Sequence, residues 1–136
     1  MMTYGEALEF ISLYMVGDNI ETVPSKLHFK AALYEVAMRC EPQSLIADLT
    51  DDSTDVFRVI HDEKYIKHPM FPTQEISEIA DQQIPIDDAL FFAVVYFVCS
   101  YLSKKASSDN PLYEKKSIFE QRAERVISVY NSNIVG

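Results

Sequence analysis

The sequence predicts a mainly α fold: a four-helix bundle-like domain with a small antiparallel β insertion between helices two and three. Three observations carry that expectation. The segment 84–106, IPIDDALFFAVVYFVCSYLSKKA, is apolar almost without a break from Ala89 to Cys99. A helix of that composition in a water-soluble chain has to be covered on nearly every side. Three further stretches repeat apolar residues at helical spacing, and between the second and the third the period changes to short, partly β-branched runs. The 136 residues read as one domain, 1–136, long enough for a real core.

Helix one opens on Thr3, followed three residues later by Glu6 in a capping-box pattern, with Gly17 as its stop. Tyr4, Leu8, Ile11 and Met15 recur on one face, and Gly5 weakens the first turn by about 1 kcal/mol relative to alanine. Helix two has Ser25 as N-cap and Pro42 as terminator, closing an N-terminal helical pair over 3–42. Phe29, Leu33, Val36 and Cys40 form its apolar stripe, with Ala32 and Ala37 alongside. Lys26, Lys30 and Arg39 define the opposite side of what reads as a one-face-buried helix, and His28 in the first turn has no evident partner. Short strands are expected over 45–49, 56–60 and 65–68, ended by Pro69 and Pro72, which cannot donate to a ladder. They make a β insertion spanning 44–72. An acidic loop at 73–86 follows, with Ile76 and Ile79 as one anchored turn.

Helix three begins at Asp87 as N-cap, with Ile86 and Phe91 placed as a hydrophobic staple. Asp88 at its start and Lys104 and Lys105 at its end complement the macrodipole, and Phe92, Tyr96 and Cys99 are assigned to a face against helices one and two. Helix four is capped by Asn110, with Pro111 at the first helical position. It buries Phe119, Ala123, Val126, Ile127 and Tyr130, which completes a C-terminal pair over 87–130. Residues 131–136 read as a short tail.

Composition narrows the function. The formal charge of −9 disfavours electrostatic attraction to nucleic acid or to an anionic membrane. The acids are clustered: 41–63 holds seven against Arg58 alone, and 75–88 holds five with no base. The two cysteines fall on predicted buried faces and read as free thiols packed as small hydrophobes. The N-terminus lacks a signal-peptide pattern, and the apolar block is shorter than the ~20 residues of a membrane span.

The chemistry-bearing clusters are thin. Asp51-Asp52-Ser53-Thr54-Asp55 resembles the start of a calcium loop, yet its sixth position is Val56 where the sharp turn needs glycine, and its twelfth is Asp62. His61, Asp62, Glu63 and His68 could ligate a metal only if they converged, and a hairpin over 56–68 puts the two histidines at different ends of a strand. No serine sits in a nucleophile elbow and no phosphate-loop pattern occurs. The expectation is a non-enzyme without metal or cofactor. The aromatic-rich 91–101 contains no Arg or Lys to interleave with stacking rings, so its aromatics read as core or subunit interface.

The run YIKHPMFP at 65–72, the polar acidic loop through Gln83, the apolar helix IPIDDALFFAVVYFVCSYLS and the charged helix PLYEKKSIFEQRAERVISVYN together resemble the head–tail connector (adaptor or head-completion) proteins of tailed bacteriophages. The resemblance spans about 27–131. It implies a structural virion protein of the neck, present in the host cytoplasm during assembly. Copies would form a twelve-fold ring under the portal protein, meet a tail or stopper protein, and let double-stranded DNA pass without sequence-specific binding. On this reading Lys115, Lys116, Arg122, Arg125, Ile134 and Val135 are candidates for the subunit or portal interface. Asp48, Asp51, Asp52 and Asp55 are candidates for a channel wall. The short tail departs from the C-terminal portal-gripping segment that the resemblance implies. Two competing readings are an acidic inhibitor or DNA mimic, motivated by the −9 charge, and a small helical hydrolase using His61 or His68.

Overall fold

A computed structural model describes residues 2–16, 23–103 and 111–135, with the side chains of the last helix described over 117–133. The chain is mainly α-helical with a small three-stranded antiparallel sheet between the second and third helices. The helices are α1 (Tyr4–Tyr14), α2 (Lys26–Arg39), α3 (Phe91–Leu102) and α4 (Pro111–Val135). The strands are β1 (Ile46–Asp48), β2 (Val56–Ile60) and β3 (Lys64–Lys67). Helix α3 packs against each of the other three helices. Nine of its twelve residues are buried, as its unbroken apolar run requires. The buried hydroxyls of Ser100 and of Ser103, just past the helix end, both donate to its carbonyls: Ser100 to Phe97 at 2.7 Å and Ser103 to Cys99 at 3.0 Å.

The entry to α1 is the expected capping box. Thr3 Oγ1 accepts from Glu6 N at 3.1 Å, and Glu6 Oε1 accepts from Thr3 N at 3.1 Å. Gly17 lies outside the described residues, as do Lys104, Lys105 and Asn110. Helix α2 starts at Ser25, whose backbone N–H donates to Nδ1 of His28 at 3.0 Å. His28 therefore has a partner, contrary to expectation, and occupies the place of the acid in a capping box.

The α2 stripe Phe29, Leu33, Val36 and Cys40 is buried with Ala32 and Ala37. Lys30 and Arg39 are exposed off that stripe, and the outward side also carries a second apolar stripe, in which Leu27, Tyr34 and Met38 are exposed and the Tyr34 ring packs on Phe57 and Phe71.

β1 and β2 fall within the expected segments, β3 begins one residue earlier than expected, at Lys64, and the spatial order is β1-β3-β2. Arg58 faces Ile66 across the β2–β3 pair. From there its guanidinium reaches the end of α2, donating to the Ala37 carbonyl at 2.9 Å and the Cys40 carbonyl at 2.6 Å. A cation on the last carbonyls of a helix satisfies orphan acceptors and complements the dipole. A satellite core of Ala37, Leu45 and Ile66, with Ile46, Phe57 and Ile60 beside it, seals the sheet to α2. The β2–β3 turn holds Asp62 at φ 62° and Glu63 at φ 57°. The left-handed region costs a non-glycine residue about 1–2 kcal/mol, and the glutamate side chain offers no local compensation. Glu63→Gly is therefore expected to raise stability by about 0.5–1 kcal/mol after the added unfolded-state entropy of glycine. Urea unfolding monitored by circular dichroism checks this, and a loss of stability would show that the turn is not strained.

Two further expectations are corrected. Asp87 occupies the N-cap position of a short 3-10 turn, Asp88–Leu90, that precedes α3, but its side chain makes no capping bond there. It reaches across to the chain beyond α2 instead. The last helix also runs to Val135, so the segment read as a tail is helical over 131–135. The acidic segment 73–86 is anchored as expected, by a 3-10 turn at Ile76–Ile79 with both isoleucines buried.

Candidate interaction surface

The feature of the structure with most to offer a partner lies where α1, α3 and α4 meet. Phe10 and Tyr14 of α1, and Phe92 and Tyr96 of α3, are only partly buried against the core. They form a connected set of rings. Phe10 meets Phe92 at 4.9 Å between centroids, and Tyr14 meets Tyr96 at 5.3 Å. Phe119 of α4 joins at 6.3 Å from both tyrosine rings. The Tyr14 and Tyr96 hydroxyls lie 3.4 Å apart. Burial, helped by that neighbouring hydroxyl, pushes Tyr14 up to about 12, so Tyr14 stays a neutral hydrogen-bonding phenol at ordinary pH.

Arg122 of α4 lies over this set, its Cζ 5.9 Å from the Tyr96 centroid and 5.7 Å from that of Phe119. A guanidinium this close to two rings gains cation–π attraction without consuming its donors. Arg125, one turn on, lines a 350 Å³ groove with Ala89, Phe92, Val126, Val129 and Tyr130. Among the described residues neither arginine has a carboxylate within 4.0 Å. Exposed arginines on partly buried aromatics are the composition that interface hot spots favour.

The groove is held in place by Asp87. Its Oδ2 accepts from Gln43 N at 2.9 Å and its Oδ1 from Ser44 N at 2.9 Å. The Tyr130 hydroxyl of α4 donates to Oδ2 through a short bond and accepts from Gln43 N at 2.8 Å. One carboxylate thus ties the start of the β insertion, the entry to α3 and the distal part of α4. Partial burial works to raise the Asp87 pKa. The donors from Ser44, Tyr130 and Gln43 outweigh it and leave the group below its ordinary value.

Of the residues singled out from sequence, Arg122 and Arg125 stand together on this face. Lys115, Lys116, Ile134 and Val135 lie on the backbone of α4, with side chains outside the described residues. The four acids are not gathered. Asp48 pairs with Lys64 at 2.9 Å at one end of the sheet. Asp55 precedes β2, whose Val56 pairs with Lys67 at the other end, and Asp51 and Asp52 are exposed in the connection between them. His61 contacts Asp62 at 3.1 Å before β3, and His68 packs edge-on against Phe57 after it. Among the described residues no three His, Cys, Asp or Glu side chains converge as a metal site. Burial pushes both Cys40 and Cys99 up to about 12, far from a thiolate at neutral pH. No described helix is long and apolar enough to cross a membrane.

The expected face of α3 is only partly as assigned: Phe92 and Tyr96 meet α1, but Tyr96 turns to α4 rather than α2, and Cys99 is fully buried. The basic partner of those rings was missed because it comes from α4, outside the 91–101 segment. The local sign of it was the i, i+3 spacing of Phe119 and Arg122. No family model, no curated protein and no solved structure matches this chain.

Proposed function

We propose that this chain is a structural assembly protein, a head–tail connector of a tailed-bacteriophage virion, which acts by docking and self-association. The observation that carries the reading is the aromatic–arginine face, where two guanidiniums with no carboxylate within 4.0 Å among the described residues stand beside partly buried rings. An acidic partner surface satisfies such guanidiniums while the rings bury apolar area. The sequence resemblance supplies the class. It favours a bundle-like arrangement about α3, a twelve-fold ring beneath the portal protein, and a tail or stopper protein on the far side.

In this reading Arg122 and Arg125, with Lys115, Lys116, Ile134 and Val135 further along α4, meet the neighbouring subunit or portal. Asp51, Asp52 and Asp55, which are exposed, face passing DNA and repel it. Asp48 contributes less to that repulsion because Lys64 neutralises it locally. The test is co-expression with the portal protein of the same phage, followed by electron microscopy of the purified portal. A ring of added density on one end of the portal is the expected result. Portal particles that never carry this chain would end the proposal. An Arg122→Glu/Arg125→Glu variant is expected to leave the portal bare while keeping its helical circular dichroism.

A further inference from the structure

We infer that this chain binds a small uncharged aromatic amide in a recess between the start of α1 and the 70–85 segment, the amide carbonyl accepting from the Tyr4 hydroxyl. The inference stands apart from the connector reading, because none of the residues involved belongs to the aromatic–arginine face. The recess has a volume of about 360 Å³, within the range of small-molecule sites. Tyr4 and Ile79, each 3% exposed, lie at its floor. One side is residues 70–74, which follow β3, and the other is Gln82, Gln83 and Pro85.

Tyr4 is the side chain that points to a ligand. Its ring is fixed edge-on against Phe29 at 5.3 Å between centroids. Its backbone is paired, but its hydroxyl has no hydrogen-bond partner among the described residues. No fully buried side-chain oxygen among those residues lacks a partner, so the hydroxyl is the part of this side chain left in contact with the recess. Burial pushes Tyr4 up to about 12, and the group stays a protonated donor at neutral pH. A phenol oriented by packing and left to water is a donor that a ligand's acceptor can take over.

The recess is held open by the fold itself. The Tyr4 N–H donates to the Gln82 carbonyl at 3.0 Å, and the Ile84 N–H to the Met2 carbonyl at 2.9 Å. On the other side Lys26 Nζ donates to the Thr73 carbonyl at 3.4 Å, and the Phe71 ring packs on Tyr34 at 6.1 Å. A preformed site spares a ligand the cost of ordering it.

The lining selects the chemistry. Among the described residues no charged side chain lines the recess. A charge brought into it would lose water and meet no counter-ion, and Glu75, Glu78 and Asp81 in the same segment disfavour an anion further. Phe71, Pro72, Ile79 and Pro85 offer apolar surface to a ring. Gln74, Gln82 and Gln83 are exposed at the mouth, and each carries both donors and an acceptor for a polar atom on the ring's outer edge.

The test titrates nicotinamide into the isotope-labelled full chain, followed by heteronuclear NMR. Saturable amide shifts centred on Tyr4, 70–74 and 79–85 are expected, with a dissociation constant on the order of 1 mM. Tyr4→Phe removes only the hydroxyl and should weaken binding about fivefold. Its thermal midpoint should equal that of the wild type, since the hydroxyl bonds to no described residue. Nicotinate, the same ring with a carboxylate, should bind at least about tenfold more weakly. Shifts that fail to saturate or that centre elsewhere overturn the inference. So does nicotinate binding as tightly as nicotinamide, a Tyr4→Phe chain that binds like the wild type, or a lowered midpoint showing that the hydroxyl serves the fold.

Discussion

Asp87→Ala is expected to lower the unfolding free energy by about 3–4 kcal/mol, the larger of the two main effects predicted for this fold. The carboxylate collects Gln43 N, Ser44 N and the Tyr130 hydroxyl, all directed at an ionised acceptor. Hydrogen bonds to a charged group are worth about 1.5–3 kcal/mol each, and the simple sum is discounted because the site is half-exposed and water can replace partners. Tyr130→Phe removes one donor and should cost about 1 kcal/mol. The pH dependence has a definite sign. The folded-state pKa of Asp87 lies below its unfolded value of about 3.9, so its contribution is fully present above that value and is lost as pH falls through the folded one. Urea titrations should show a constant gap between wild type and Asp87→Ala above about pH 5 that narrows below about pH 4. A gap that does not change down to pH 2.5 would mean that the ionised form is not what holds these elements together.

Gly5→Ala tests a conflict between local and tertiary preference. Helix propensity alone says that alanine stabilises α1 by about 1 kcal/mol. In the fold, the Gly5 N–H donates to the Ala80 carbonyl at 2.7 Å, and a Cβ added at Gly5 would sit 2.8 Å from that same oxygen. The obstacle is backbone, in a segment anchored by the buried Ile76 and Ile79, so it cannot swing aside as a flexible side chain would. Overpacking against an immovable neighbour costs about 1–3 kcal/mol or more, and a net loss of about 2–3 kcal/mol is expected. Thermal unfolding decides the sign: a raised midpoint would show that the contact between α1 and the 76–80 segment is loose.

These two residues show where reading the chain succeeded and where it stopped. Asp87 stood out as the cap of the apolar helix from its place before that block, yet it precedes a short 3-10 turn, and the residue at the N-cap of α3 itself is Leu90. The Asp87 side chain serves a different element, because two backbone N–H groups at Gln43 and Ser44, over forty residues away, compete for the same oxygens and win. Gly5 looked like a weakness in α1 and is instead the point of closest approach to the acidic segment. Arg58 was a lone base in an acidic run and became the C-terminal cap of α2 once the sheet was folded against it. The strand segments were legible from turn formers and β-branched runs. Their order β1-β3-β2 was not, since short strands pair as readily with one neighbour as with another until a core selects.

The candidate site follows the same division. Arg122 and Arg125 were marked by charge along α4, but of the two rings beneath Arg122 only Phe119 is local; Tyr96 comes from α3, and only packing brings it there. The outer stripe of α2 was present in the spacing of Leu27, Ala31, Tyr34 and Met38, yet it has the same period as the stripe that is buried. Period reports that a face is apolar without reporting what covers it. The sequence by itself determined the helices, the place of the insertion and the central role of 84–106, because periodicity, caps and prolines act within a few residues. Only the tertiary structure decided which carboxylate binds which amide, which arginine lies on which ring, and which apolar face of α2 is left open. Those outcomes depend on distances between residues far apart in the chain, where burial and competing partners set the energies.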